Sequence, residues 1–126
     1  MATAVIVLSY AACDTCKKAL KWLDAKGVKY AVRPIVERPP TAAELRAWLP
    51  ASGVSVRKWL NTSGQSYRAL GKEKVDAASD AEVEAWLTQD GKLVKRPVVV
   101  VPGASGGRLR VLVGFRPEAF EETLGA

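Results

Sequence analysis

The chain has 126 residues, a formal charge of +6 from 19 basic and 13 acidic side chains, two cysteines and no histidine. That length suits one domain able to bury roughly two thirds of its extended surface, so disulfide staples are not needed. Without histidine there is no imidazole acid or base, no Ser-His or Cys-His catalysis, and no tetrahedral zinc site from Cys and His alone.

Ala4 to Leu8 is a continuous apolar run with three β-branched residues, short enough for a strand buried on both faces. The opening up to Cys13 has no positive residue before a run too short for a signal, so it reads as the first strand of a cytoplasmic protein. No apolar stretch approaches the roughly 18 to 20 residues of a membrane span. Next, Ala19, Leu20, Trp22 and Leu23 recur at helical spacing opposite Lys17, Lys18, Lys21 and Asp24, and Gly27 supplies the stop. Cys13 therefore falls at or beside a helix's first turn, where unpaired N–H groups and the helix dipole favour thiolate over thiol. Cys13 is the expected nucleophile. Cys16, on the same helical face and within reach of a disulfide after modest adjustment, is the expected resolving thiol. Two cysteines at this spacing can also be small buried apolar residues; the strand before and the helix after supply the context for the redox reading.

A second strand is expected over about Lys29 to Val36, with Pro34 arguing against an uninterrupted central ladder. After Pro39-Pro40, Thr41 and Glu44 have capping-box spacing and open a helix with Leu45, Trp48 and Leu49 as its stripe, ending before Pro50 and Gly53. A short helix follows over Val54 to Leu60, with Val56, Trp59 and Leu60 facing inward. Asn61-Thr62-Ser63-Gly64 is a polar turn leading through Tyr67-Arg68 into another short helix; its hydroxyls and amide serve as an N-cap or bind an anion. Ser79 or Asp80 caps a helix to Gln89, with Val83, Trp86 and Leu87 inward and Asp90-Gly91 at its end. Arg96 to Val101 and Arg108 to Phe115 then form a hairpin across a Gly-rich turn, and Pro117 begins a closing helix with Ala119, Phe120 and Leu124 on its apolar side.

This order, with helices flanking a small mixed sheet, is that of the α/β thioredoxin-like fold, carrying a helical insertion over about residues 41–89 within a single domain, 1–126. In that fold a cis proline introduces the strand facing the CxxC corner, so the Arg96–Pro97 bond is expected to be cis.

The chain resembles the arsenate reductase (ArsC)/Spx family from its first strand to its last helix. The carriers are Cys13-Asp-Thr-Cys16-Lys-Lys, Pro39-Pro40, Asn61-Thr62-Ser63-Gly64 with Tyr67-Arg68, Gly91-Lys-Leu-Val-Lys-Arg96-Pro97, and Val113-Gly114-Phe115. The resemblance implies Cys13 as nucleophile, Arg96 as an anion-binding arginine, and Arg116 at the place of another oxyanion-binding arginine. A guanidinium beside the sulfur favours thiolate and offers a planar fork to an oxyanion. Asn61, Thr62, Ser63 and Pro97 join the anion-binding set, with no metal site and no bound cofactor. In such enzymes the thiolate attacks arsenate, glutathione takes over the arsenic as co-substrate, and glutaredoxin restores the thiol. Two positions depart from that pattern. The glutathione-coupled reductases carry a further arginine where Asn61-Thr62-Ser63-Gly64 stands, and they do not require Cys16. An intramolecular CxxC is instead the switch of the Spx regulators, which bind the RNA polymerase α subunit. Enzyme and regulator are therefore both open, and no DNA-reading motif points to direct nucleic-acid contact.

Overall fold

The computed structural model describes residues 5–103 and 108–124. The Gly-rich turn expected between the last two strands and the expected strand start at Ala4 lie outside them. Four strands form one sheet in the order β2-β1-β3-β4, with β1 Val5–Ser9, β2 Tyr30–Pro34, β3 Val98–Val101 and β4 Arg110–Val113. β1 runs parallel to β2 and antiparallel to β3, and β3 and β4 pair antiparallel with Val99 opposite Leu112. The sheet is mixed and thioredoxin-like, as the element order requires.

Strand alternation divides the core between the two faces of this sheet. Val5, Val7 and Val99 point to one face, where Ala19 and Leu23 of α1 (Asp14–Ala25) and Phe120 of α6 (Pro117–Leu124) cover them. Phe120 packs edge-on against Trp22 and Phe115, with ring centroids 5.4 and 4.8 Å away. Leu8, Val98 and Val100 point to the other face, under α2 (Ala42–Ser52), α4 (Lys72–Ala77) and α5 (Asp80–Gln89). Trp59, in a 3-10 turn over Val56–Trp59, is fully buried there, and its indole N–H donates to Ser52 Oγ at 3.2 Å. Among the described residues no helix is long and apolar enough to cross a membrane.

Several boundaries differ from expectation. β2 ends at Pro34 and not Val36, at the sheet's edge, where a missing ladder donor is tolerated. α2 runs through Pro50 to Ser52 before Gly53 stops it in the left-handed region at φ 71°. A proline so near the helix end removes one hydrogen bond without breaking the body of the helix. The polar turn at 61–64 leads into two short helices, α3 (Gln65–Leu70) and α4, broken at Gly71 with φ 87°. β4 is shorter than Arg108 to Phe115, since Gly114, at φ 77°, turns the chain out of the sheet.

Two devices fix the helices between β2 and β3 against the sheet. Thr41 and Glu44 form the expected capping box, and Glu44 also takes a two-pronged pair from Arg33 of β2, at 2.7 and 2.8 Å. Arg33 reaches the Arg38 and Pro39 carbonyls as well, so one guanidinium holds the whole β2 to α2 connection. Gly91, after α5, lies so close to β2's exit that an added Cβ would stand 2.0 Å from the Ile35 carbonyl oxygen.

Candidate active site

β1 ends at Ser9, and a tight turn in which Cys13 N–H donates to the Tyr10 carbonyl at 3.0 Å delivers Cys13 to the N-cap of α1. Its backbone is extended there, and its sulfur accepts the Cys16 N–H at 3.3 Å, as a capping oxygen would. Cys13 is half-buried and Cys16 buried, and both thiols are free.

The two sulfurs are electrostatically unlike. Burial, the largest single influence, pushes the Cys13 thiol up, and hydrogen bonds from the Cys16 thiol and backbone N–H oppose it. Arg96 adds its charge and a hydrogen bond, and the net result lies below the ordinary cysteine value. Cys16 is pushed up to about 11, first by burial and then because its proton is held in the hydrogen bond to Cys13. The outer sulfur thus gives up its proton more readily than the inner one.

Arg96 is delivered by the segment leading into β3. The Arg96–Pro97 bond is cis, as expected, and the Pro97 carbonyl accepts the Gly114 N–H at 2.8 Å, fastening this corner to the end of β4. The Arg96 guanidinium lies over the Tyr10 ring, 4.8 Å from its centroid. Its Nε is buried without a hydrogen-bond partner, a costly state for a charged donor.

The Asn61 loop is brought to the same place by a small ladder. Asn61 N–H donates to the Leu93 carbonyl at 2.8 Å and Lys95 N–H to the Trp59 carbonyl at 2.7 Å, flanking the Leu60 to Val94 bridge. Gly64 follows closely, because a Cβ there would meet Asn61 Nδ2 at 2.7 Å.

A cleft of about 410 Å³ lies between these elements. Its walls are Cys13 and Thr15, the Asn61, Ser63 and Gly64 loop, Lys95 and Arg96, and the Val113 to Arg116 corner. Cys13, Arg96, Arg116, Asn61 and Ser63 are thus brought together. Thr62 is exposed and Pro97 is buried, and neither lines the cleft. Cys16 is buried behind Cys13 in the first turn of α1 and does not line the cleft. Three participants escaped the sequence reading: Tyr10 under Arg96, Thr15 in the first turn, and Lys95. Lys95 had a signal, since it precedes Arg96 and its charge had no helical face to occupy.

The sequence model of the ArsC family matches residues 8–123. A crystal structure of an ArsC family related protein from Bacteroides fragilis superposes with a TM-score of 0.87 at 45% identity, covering 97% of this chain and 98% of that one. The uncharacterized protein YusI of Bacillus subtilis is 41% identical over 90% of this chain and 92% of its own. The regulatory protein MgsR of the same organism is 26% identical over 86% and 81%. Arsenate reductase of Escherichia coli K12 is 31% identical over 72% of this chain and 64% of the reductase, whose remaining third has no counterpart in the match. With a likeness that begins in the strand before Cys13, takes in the Arg96 corner and ends within α6, this chain belongs to the ArsC family.

Proposed function

We propose that this chain is a thiol-dependent oxidoreductase of the arsenate reductase-like type, with Cys13 as nucleophile and arsenate or a glutathione mixed disulfide as substrate. The observation that carries the reading is the lowered Cys13 thiol at the start of α1, with Arg96 beside it and a cationic cleft above. The unpartnered Arg96 Nε supports it further, because an oxyanion is the acceptor such a donor lacks once the guanidinium turns toward the cleft.

With arsenate, the Cys13 sulfur bonds to arsenic and an oxygen leaves as water, while Arg96 and Arg116 stabilise the remaining oxyanion charge. Glutathione then adds at arsenic. Its sulfur joins that of Cys13 as a mixed disulfide, and arsenic departs as As(III) with the electron pair. Glutaredoxin restores the Cys13 thiol, or Cys16 displaces glutathione by forming the Cys13–Cys16 disulfide, which an external dithiol reductant then reduces to return both thiols. Part of what holds the Cys16 proton is its hydrogen bond to the Cys13 thiolate, which is gone once Cys13 is substituted. Incubation with arsenate, glutathione, glutaredoxin and an NADPH-recycling system tests this version. NADPH consumption above a Cys13→Ser control is expected, and consumption equal to the control removes arsenate.

A second reading is favoured by one observation, the buried Cys16 already hydrogen-bonded to Cys13, together with the likeness to MgsR. In it the Cys13–Cys16 disulfide reports redox state to the RNA polymerase α subunit. Pull-down of that subunit by oxidised or reduced protein supports it; no contact in either state excludes it.

A further inference from the structure

Beside the Cys13 cleft lies a second one of about 250 Å³, reached from the first across Lys95, Gly114 and Arg116, which line both. Lys58, from the 3-10 turn that buries Trp59, stands on its far wall with Ser52 and the exposed Val54. No aspartate or glutamate lines either cleft, and none of Lys58, Lys95 and Arg116 has a carboxylate within ion-pairing distance among the described residues. In a chain with 13 acidic side chains, three neighbouring cations left without one form a one-signed field. The position of Lys95 is built in, because its stem crosses Gly114, passing 3.0 Å from where a Cβ would be. Gly114 thus gives Lys95 its place at the junction.

An inorganic oxyanion at Cys13 is smaller than one amino-acid side chain and leaves the second cleft empty. We infer that the Lys58–Lys95 cleft is a subsite for the carboxylates of a low-molecular-weight thiol, holding an acidic disulfide so that its sulfur lies at Cys13. This rests on the reading of Cys13 as a nucleophile and adds to it the residues that hold the co-substrate's carboxylates. In the step concerned, the Cys13 thiolate bonds to one sulfur of the disulfide and the other leaves as thiolate. Cys13 is oxidised to a mixed disulfide, and the departing half is reduced and takes a proton from water. Lys58 and Lys95 hold the carboxylates of the half that stays, and an apolar patch at Val54 meets its carbon skeleton.

Rates of mixed-disulfide formation at Cys13 with glutathione disulfide, acidic, and bis(2-hydroxyethyl) disulfide, neutral, read this by mass spectrometry in the wild type and in Lys58→Gln and Lys95→Gln. The acidic-to-neutral rate ratio is expected to fall about two- to fivefold with each substitution, the size of one exposed ion pair, and to shrink as salt rises. A ratio unchanged in both variants overturns the subsite while leaving the nucleophile standing. A second measurement is independent of the chemistry. S-methylglutathione added to Cys13→Ser protein should shift the amide resonances of Lys58, Lys95 and Gly114, and shifts confined elsewhere overturn the subsite too. If neither disulfide reacts although S-methylglutathione shifts those amides, the nucleophile fails and the subsite survives as a binding site.

Discussion

Cys16 donates to Cys13 twice, from its backbone N–H at 3.3 Å and from its thiol, so the inner cysteine holds its proton for the benefit of the outer one. Replacing Cys16 with alanine removes the thiol donor and keeps the N–H. Cys13 in Cys16→Ala is therefore expected to titrate higher than in the wild type and to react more slowly with iodoacetamide at neutral pH. An unchanged Cys13 titration would contradict the hydrogen bond.

The same pair sets a sign for alkaline stability. Cys16 has a folded value above its unfolded one, so the neutral thiol stabilises the fold fully below the unfolded value of about 8.5. That contribution is lost as pH rises toward the folded value of about 11. Reduced wild type compared with Cys16→Ala in urea titrations across this window should show the difference narrowing with pH. A constant difference would mean that the burial of Cys16 does not bear on its ionisation.

In the proposed reaction Arg96 acts on the sulfur and on the substrate together. Arg96→Gln is expected to raise the Cys13 titration and to lower turnover by about 10²-fold, as losing one donor aimed at developing charge does. Arg96→Lys keeps the charge without the planar fork and should restore the titration more than the turnover. Equal recovery of both would contradict an oxyanion-binding role.

How much of this was legible from the chain follows from the range of each interaction. The two capping boxes, Thr41 with Glu44 and Ser79 with Glu82, are local and stand in the sequence as spacing. So does the corner at Cys13, because a buried strand and an amphipathic helix must meet there. The cis bond at Pro97 came only with the fold's resemblance. What escaped depends on distant neighbours. Pro50 sits inside α2 because it falls in the last turn, Gly71 splits one expected helix into two, and Lys95 and Tyr10 join the site through contacts made by the Trp59 carbonyl and the Arg96 guanidinium. Thr62 was grouped with its neighbours by composition, yet within one turn alternate residues face opposite ways, and it faces solvent.

Glu44 is the acid-sensitive member of the scaffold. The Arg33 hydrogen bonds hold its carboxyl below the ordinary range against partial burial, and the Thr41 N–H adds to them. A depressed folded value means stability present above the unfolded value of about 4.3 and lost as pH falls through the folded one. Glu44→Gln is expected to cost about 1 to 2 kcal/mol at neutral pH and to flatten the acid limb of stability against pH. Equal acid limbs in the two proteins would contradict the pairing.

Gly91 admits no side chain. With a Cβ 2.0 Å from the Ile35 carbonyl oxygen, Gly91→Ala must part β2's exit from the segment leading to Arg96. A loss of about 3 kcal/mol or more in urea denaturation is expected. A change below ~0.5 kcal/mol would show that the two segments are not in contact.

The most direct test is the pH dependence of the alkylation rate at Cys13 in the reduced wild-type protein, followed by mass spectrometry of the peptides bearing Cys13 and Cys16. Modification at Cys13 alone, with a midpoint below that of an ordinary cysteine, is the expected result. A midpoint at or above the ordinary value, or equal labelling of Cys16, would contradict an activated thiolate at the head of α1.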